Sequence, residues 1–133
     1  MRILLDTNAY TAMRRDHAGV IKLVRSSSRV LVSSVVAGEL LYGFRRGKRF
    51  QQNRRDLMEF VASPFVDLIP VTMATAERFG IVRHDLALRG KPIPTNDVWI
   101  AAHALESGAD LVSMDAHFGA IGGLVWIDPS AWA

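Results

Sequence analysis

Four carboxylates in this chain, Asp6, Glu39, Asp97 and Asp115, stand where an α/β protein would gather them. Asp6 directly follows the apolar run Ile3-Leu4-Leu5, and Asp115 lies two residues past Ser113, at the end of a second such run. In open parallel sheets, ligands bind beyond the carboxyl ends of the strands. Both acids are therefore expected on one edge of the sheet. Asp97 precedes Ile100, Ala101 and Ala104 by three, four and seven residues, which puts it in line with the apolar stripe of a helix. Glu39 follows Val35 and Val36 by four and three residues and precedes Gly43 by four, again on an otherwise apolar face. Surface acids normally fall out of phase with the core. These two are in phase with it.

Each acid has a plainer reading as well. Asp6-Thr7-Asn8 suits the cap of a following helix, Asp97 suits the positive end of a helix dipole, and Asp115 suits a turn. Glu39 is the hardest to explain this way, because a lone carboxylate on an apolar helix face is costly to bury. Together the four pose an electrostatic problem. Two like charges about 5 Å apart repel by roughly 3 kcal/mol at an effective dielectric near 20. Protons or a metal ion would relieve that repulsion. All-oxygen ligation without thiolates suits Mg²⁺ or Mn²⁺, and such ions activate water and stabilise charge on a phosphate during in-line displacement.

The elements that must position these acids are legible as short apolar runs alternating with helical patterns. Strands are expected at Arg2–Leu5, Val30–Ser33, Phe65–Ile69, Leu111–Ser113 and Val125–Ile127. Their continuous apolar character implies burial on both faces, as in a parallel sheet. Helices are expected at Ala18–Ser27, at Val35–Phe44 with a stop near Gly43 and Gly47, and at Arg49–Ala62 with Leu57, Met58 and Val61 inward. Two more are expected at Met73–Arg89, closed by Gly90, and at Thr95–Ser107, closed by Gly108. This alternation predicts an α/β sandwich around a parallel sheet.

The 133 residues suit one domain with a real core, and half of them are hydrophobic. There is no cysteine, which excludes disulfides, thiolate metal sites and cysteine nucleophiles. No run is long enough to span a bilayer or to form the core of a signal peptide, so the expected location is the cytoplasm, away from membranes. Net charge is only +3, but Arg45, Arg46, Lys48, Arg49, Arg54 and Arg55 fall within eleven residues that hold no acid. Such a run is either a solvated helix face or a surface that attracts a polyphosphate. Acids at the centre with basic residues nearby fit a phosphodiesterase. His117 beside Phe118 reads as a packing residue, and His84 and His103 have no second histidine at ligand spacing. Trp99, Trp126 and Trp132 likewise read as packing residues rather than base-stacking platforms.

At this point the motifs resemble those of the PIN-domain ribonucleases, in particular the VapC-type toxins of toxin–antitoxin pairs. The matching pieces are Leu4-Leu5-Asp6-Thr7-Asn8, then Val32-Ser33-Ser34-Val35-Val36 leading to Glu39-Leu40 and Gly43. They continue with Pro94-Thr95-Asn96-Asp97 running into Ile100-Ala101-Ala102-His103-Ala104, and end with Ser113-Met114-Asp115-Ala116-His117-Phe118. The resemblance implies one PIN-like domain over residues 1–133, folded as a three-layer α/β/α sandwich around a mainly parallel five-stranded sheet. It implies Mg²⁺- or Mn²⁺-dependent cleavage of RNA, a homodimer, and inhibition by a cognate antitoxin. Asp6, Glu39, Asp97 and Asp115 match the family's acidic quartet, with Asp6, Asp97 and Asp115 as metal ligands. Thr7, Asn8, Asn96 and Ser113 match its supporting polar positions, and Ser113 keeps the hydroxyl of a more usual threonine. Arg45, Arg46, Lys48 and Arg49 are candidates for the RNA backbone, although that segment could instead meet a protein partner.

Three rival readings fare worse. A phosphoacceptor receiver domain needs paired acids after the first strand and a lysine after the fifth, where this chain has Asp6 alone and Asp128-Pro129. A haloacid-dehalogenase-type phosphatase needs an aspartate two residues after Asp6, where Asn8 stands. A catalytically silent PIN-like module for RNA binding or interaction would have no reason to keep four mutually repelling acids.

Overall fold

Continuous apolar strands demand cover on both faces, and the computed structural model, which describes residues 1–132, supplies it. Ala133, the last residue of the expected domain, lies outside the described residues. Five strands pair in the order β3-β2-β1-β4-β5, every neighbouring pair parallel. They are β1 (Arg2–Leu5), β2 (Arg29–Ser33), β3 (Val66–Ile69), β4 (Asp110–Val112) and β5 (Trp126–Ile127). Ile3, Leu4 and Leu5 are all fully buried, as are Val30 and Val112, so successive side chains on opposite faces both meet core. The architecture is the expected three-layer α/β/α sandwich.

Six helices form those layers: α1 (Thr7–Arg14), α2 (Ala18–Ser26), α3 (Ser34–Arg46), α4 (Phe50–Val61), α5 (Met73–Leu88) and α6 (Thr95–Ser107). The helix α1 is expected only as the one that Asp6-Thr7-Asn8 would cap, without bounds. Within TNAYTAMR, Ala9, Ala12 and Met13 share one face; Ala9 and Tyr10 are buried, and Ala12 and Met13 pack against the core. Asp6 accepts the Thr7 amide as its cap. α6 has the expected bounds and ends on Gly108 in the left-handed conformation (φ 62°). Pro94 stands at its N-cap, and no side chain caps its first turn.

Other expectations need correction. Gly43 does not stop α3, which continues to Arg46 and ends at Gly47. Met58 is exposed, and Leu57 is the one buried residue of α4. β3 is not buried on both faces: it is an edge strand, and Leu68 is half exposed. β4 stops one residue earlier than expected, leaving Ser113 just past the strand, still held by its amide to Ile127 O at 3.1 Å. No helix is long and apolar enough to cross a membrane among the described residues.

The strand order carries a functional consequence. The chain runs outward from β1 through β2 to β3, then returns to place β4 on the other side of β1. The order reverses between β1 and β4. That crevice, at the carboxyl ends of the strands, is where open α/β sheets bind ligands.

Candidate active site

Asp6 enters the crevice from the tip of β1, with its amide still bound to Val112 O at 3.0 Å. Its side chain is nearly inaccessible, 3% exposed. One carboxylate oxygen, Oδ1, accepts the Thr7 amide at 2.8 Å, and Oδ2 accepts the Ser113 hydroxyl at 2.7 Å. Asp6 is therefore both a helix cap and a site residue, and the two readings do not compete. Burial pushes its pKa up to about 6, opposed by those hydrogen bonds and reinforced by the charges of Asp97 and Asp115.

Ser113 and Asn8 bind β4's tip to the start of α1. The Ser113 oxygen accepts the Asp115 amide at 3.0 Å and the Asn8 amide group at 3.3 Å. Asn8 Nδ2 also donates to Asp115 Oδ2 at 3.3 Å, while Asn8 Oδ1 accepts the Met114 amide at 3.1 Å. Trp126 on β5 secures the same loop, donating its indole N–H to Ser113 O at 2.8 Å. These bonds fix where the exposed Asp115 carboxylate stands.

Glu39 and Asp97 complete the crevice from α3 and α6. Glu39 is only partly buried, so the cost expected for a carboxylate on an apolar face does not arise. Its Oε1 accepts the Thr7 hydroxyl at 2.7 Å and its Oε2 accepts Asn96 Nδ2 at 3.4 Å. Asp97 lies in the first turn of α6 with its side chain 15% exposed. Burial raises its pKa, adjacent His117 lowers it, and Glu39 and Asp115 raise it further.

The crevice thus brings together all four acids, and each of Thr7, Asn8, Asn96 and Ser113 bonds to at least one of them. His117 was missed by sequence reasoning. Rather than only packing on Phe118, it places Nε2 2.9 Å from Asp97 Oδ2. Its spacing of two from Asp115, on a loop leaving a strand tip, was the available signal. Donor atoms of Asp97, Asp115 and His117 all lie within 4.8 Å of one another, a span that suits ligands of one divalent ion.

The basic segment lies apart from this cluster. Arg45, Arg46, Lys48 and Arg49 are all exposed, and none makes an ion pair among the described residues. Arg45 stacks over Phe50 at 4.0 Å and Arg46 over Tyr42 at 5.8 Å. Arg49 lines a groove with Arg14, Arg15 and Tyr10, and that groove meets the acidic crevice at Thr7 and Glu39.

A parallel sheet with acids gathered at its switch point, braced by hydroxyl and amide side chains, defines a class of metal-dependent nucleases. The chain belongs to the PIN-domain family, whose sequence profile matches residues 3–124. Within that family it is similar to Ribonuclease VapC2 of Haemophilus influenzae, 30% identical over 115 residues, covering 85% of this chain and 86% of the relative. It is 28% identical over 127 residues to the tRNA(fMet)-specific endonuclease VapC of Shigella flexneri, covering 93% of this chain and 95% of that one. Among solved structures, VapBC-1 of nontypeable Haemophilus influenzae matches with a TM-score of 0.85 at 25% identity, covering 98% and 99% of the two chains. VapBC2 of Rickettsia felis, bound to a DNA fragment from its promoter, matches with a TM-score of 0.83 at 27% identity, covering 96% and 98%.

Proposed function

We propose that this chain is a VapC-type toxin, a single-domain endoribonuclease over residues 1–133 that depends on Mg²⁺ or Mn²⁺. Asp6, Glu39, Asp97 and Asp115 form its active site in this reading. The observation that carries it is the meeting of four carboxylates, drawn from two strand tips and two helices, in one open crevice. Such a concentration of negative charge is unfavourable unless cations or protons share it. The relatives, a ribonuclease and a tRNA(fMet)-specific endonuclease, support RNA as the substrate class.

Asp6, Asp97 and Asp115 would hold the ion, and a bound divalent ion would activate water and stabilise charge on the scissile phosphate. The residues of the chain prepare that chemistry. Ser113 and Asn8 fix the Asp6 and Asp115 carboxylates, so their orientation need not be found during the reaction. Glu39, held by Thr7 and Asn96 yet still reachable, orients the attacking water and can take its proton. Arg45, Arg46, Lys48 and Arg49 bind the RNA backbone in this reading, Arg49 from the groove that opens into the crevice and the others from the exposed segment beside it. In this reading the chain works as a homodimer in the cytoplasm, and its likeness to VapBC assemblies supports a cognate antitoxin as the partner that silences it.

The test is incubation of antitoxin-free protein with total RNA in Mg²⁺ or Mn²⁺, with and without EDTA, beside Asp97→Asn. Cleavage should require the metal and disappear in the variant. Metal-independent cleavage, or full activity in Asp97→Asn, would overturn the assignment. RNA binding without cleavage in any metal would instead favour the silent module.

A further inference from the structure

His117 has no place in the quartet, yet its environment is more constrained than that of the exposed Asp115. The ring packs against Phe118, with centroids 4.8 Å apart and planes tilted by 56°. Phe118 itself is fully buried, so the imidazole is held by the core. Nε2 is shielded from solvent and lies 2.9 Å from Asp97 Oδ2, but without the alignment of a hydrogen bond. Nε2 therefore already meets Asp97, and the nearby Asp115 carboxylate makes a second interaction available, one shared by all three side chains.

The donor geometry indicates what that interaction is. Ligand atoms around a first-row ion sit about 2.0–2.2 Å from it, so two of them are at most about 4.4 Å apart. The ligand atoms of Asp97, Asp115 and His117 all lie within 4.8 Å of one another, so a small side-chain adjustment brings every pair inside that limit. The donors are also chemically mixed. Mg²⁺ is a hard ion that keeps to oxygen, whereas imidazole nitrogen suits Mn²⁺ and the later transition ions better.

We propose that His117 is a nitrogen ligand of the divalent centre, alongside Asp97 and Asp115, and that it biases the site from Mg²⁺ towards Mn²⁺. This inference rests on reading the crevice as a metal centre.

The decisive experiment is electron spin-echo spectroscopy of wild-type protein loaded with Mn²⁺, with and without ¹⁵N-labelled histidine. A nitrogen coupling that changes with the label is expected. Alongside it, Mn²⁺ and Mg²⁺ are titrated into wild-type and His117→Asn protein, with metal-free melts as the check on folding. The variant should lose about tenfold in Mn²⁺ affinity, with Mg²⁺ affinity nearly unchanged. Bound Mn²⁺ without histidine coupling, or equal losses for the two ions, would refute the role of His117 and leave the carboxylate centre standing. No Mn²⁺ binding at all would refute both. The wild-type spectrum decides the question even if the variant does not fold.

Discussion

Asp6 caps α1 and faces the acid cluster while almost wholly removed from water, and burial accounts for most of the rise of its pKa to about 6. A folded-state pKa above the ordinary 3.8 favours folding fully below about pH 4, where both states are protonated. That contribution is lost as pH rises through 6, on the order of 2–3 kcal/mol for a shift of this size. Metal-free protein should therefore lose stability between about pH 4 and 6 from this group, and Asp6→Asn should flatten the profile there. A divalent ion reverses the balance: Mn²⁺ should raise the melting temperature more at pH 7.5 than at pH 5. Melting curves at both pH values, with and without Mn²⁺, check both expectations, and equal stabilisation by Mn²⁺ at the two pH values would contradict them. The four acids were legible because their phase and strand-tip positions can be read along one line of sequence. His117 was not, since its partner Asp97 is twenty positions away and only packing brings them together.

Among the elements, α6 does the most to place the site, and a buried histidine anchors it. His103 is fully buried and contacts Ser33 Oγ at 2.8 Å and Pro70 O at 3.1 Å, joining α6 to the ends of β2 and β3. A carbonyl only accepts, so Nε2 carries the proton and Nδ1 accepts from the Ser33 hydroxyl. Burial lowers the pKa of His103, which keeps this neutral arrangement. Replacing it with leucine leaves the buried Ser33 hydroxyl without its acceptor and should cost about 1–3 kcal/mol. Urea denaturation should show that loss, and Mn²⁺ affinity should weaken because Asp97 rides on the same helix. An unchanged midpoint would mean that packing alone holds α6. The strands and α6 were legible since dense apolar runs and a terminal glycine leave few alternatives. Of α1 only the cap was legible, because its eight residues are too few for the pattern of Ala9, Tyr10, Ala12 and Met13 to set bounds. Nor could sequence locate Gly19, where a Cβ would stand 2.1 Å from the Pro129 carbonyl oxygen.

For the molecule as a whole, the excess positive charge is concentrated on one exposed segment beside the crevice, and its partner should be recognisable from salt dependence. Each phosphate contact to single-stranded RNA contributes a slope of about 0.7 in the logarithm of affinity against the logarithm of salt. Neutralising Arg45, Arg46, Lys48 and Arg49 to glutamine should lower the slope by up to about 3 if all four meet phosphate. An unchanged slope for RNA, with weakened binding to the antitoxin, would assign the segment to the protein partner instead. The crevice has a different consequence, one of timing. Its parts come from positions 6–8, 39, 96–97 and 113–117, so they meet only after segments more than a hundred residues apart have been made. Until β4 docks beside β1, Ser113 has no hold on Asp6 and Asn8 has none on Asp115, and a growing polypeptide that stops short of position 113 has no assembled centre.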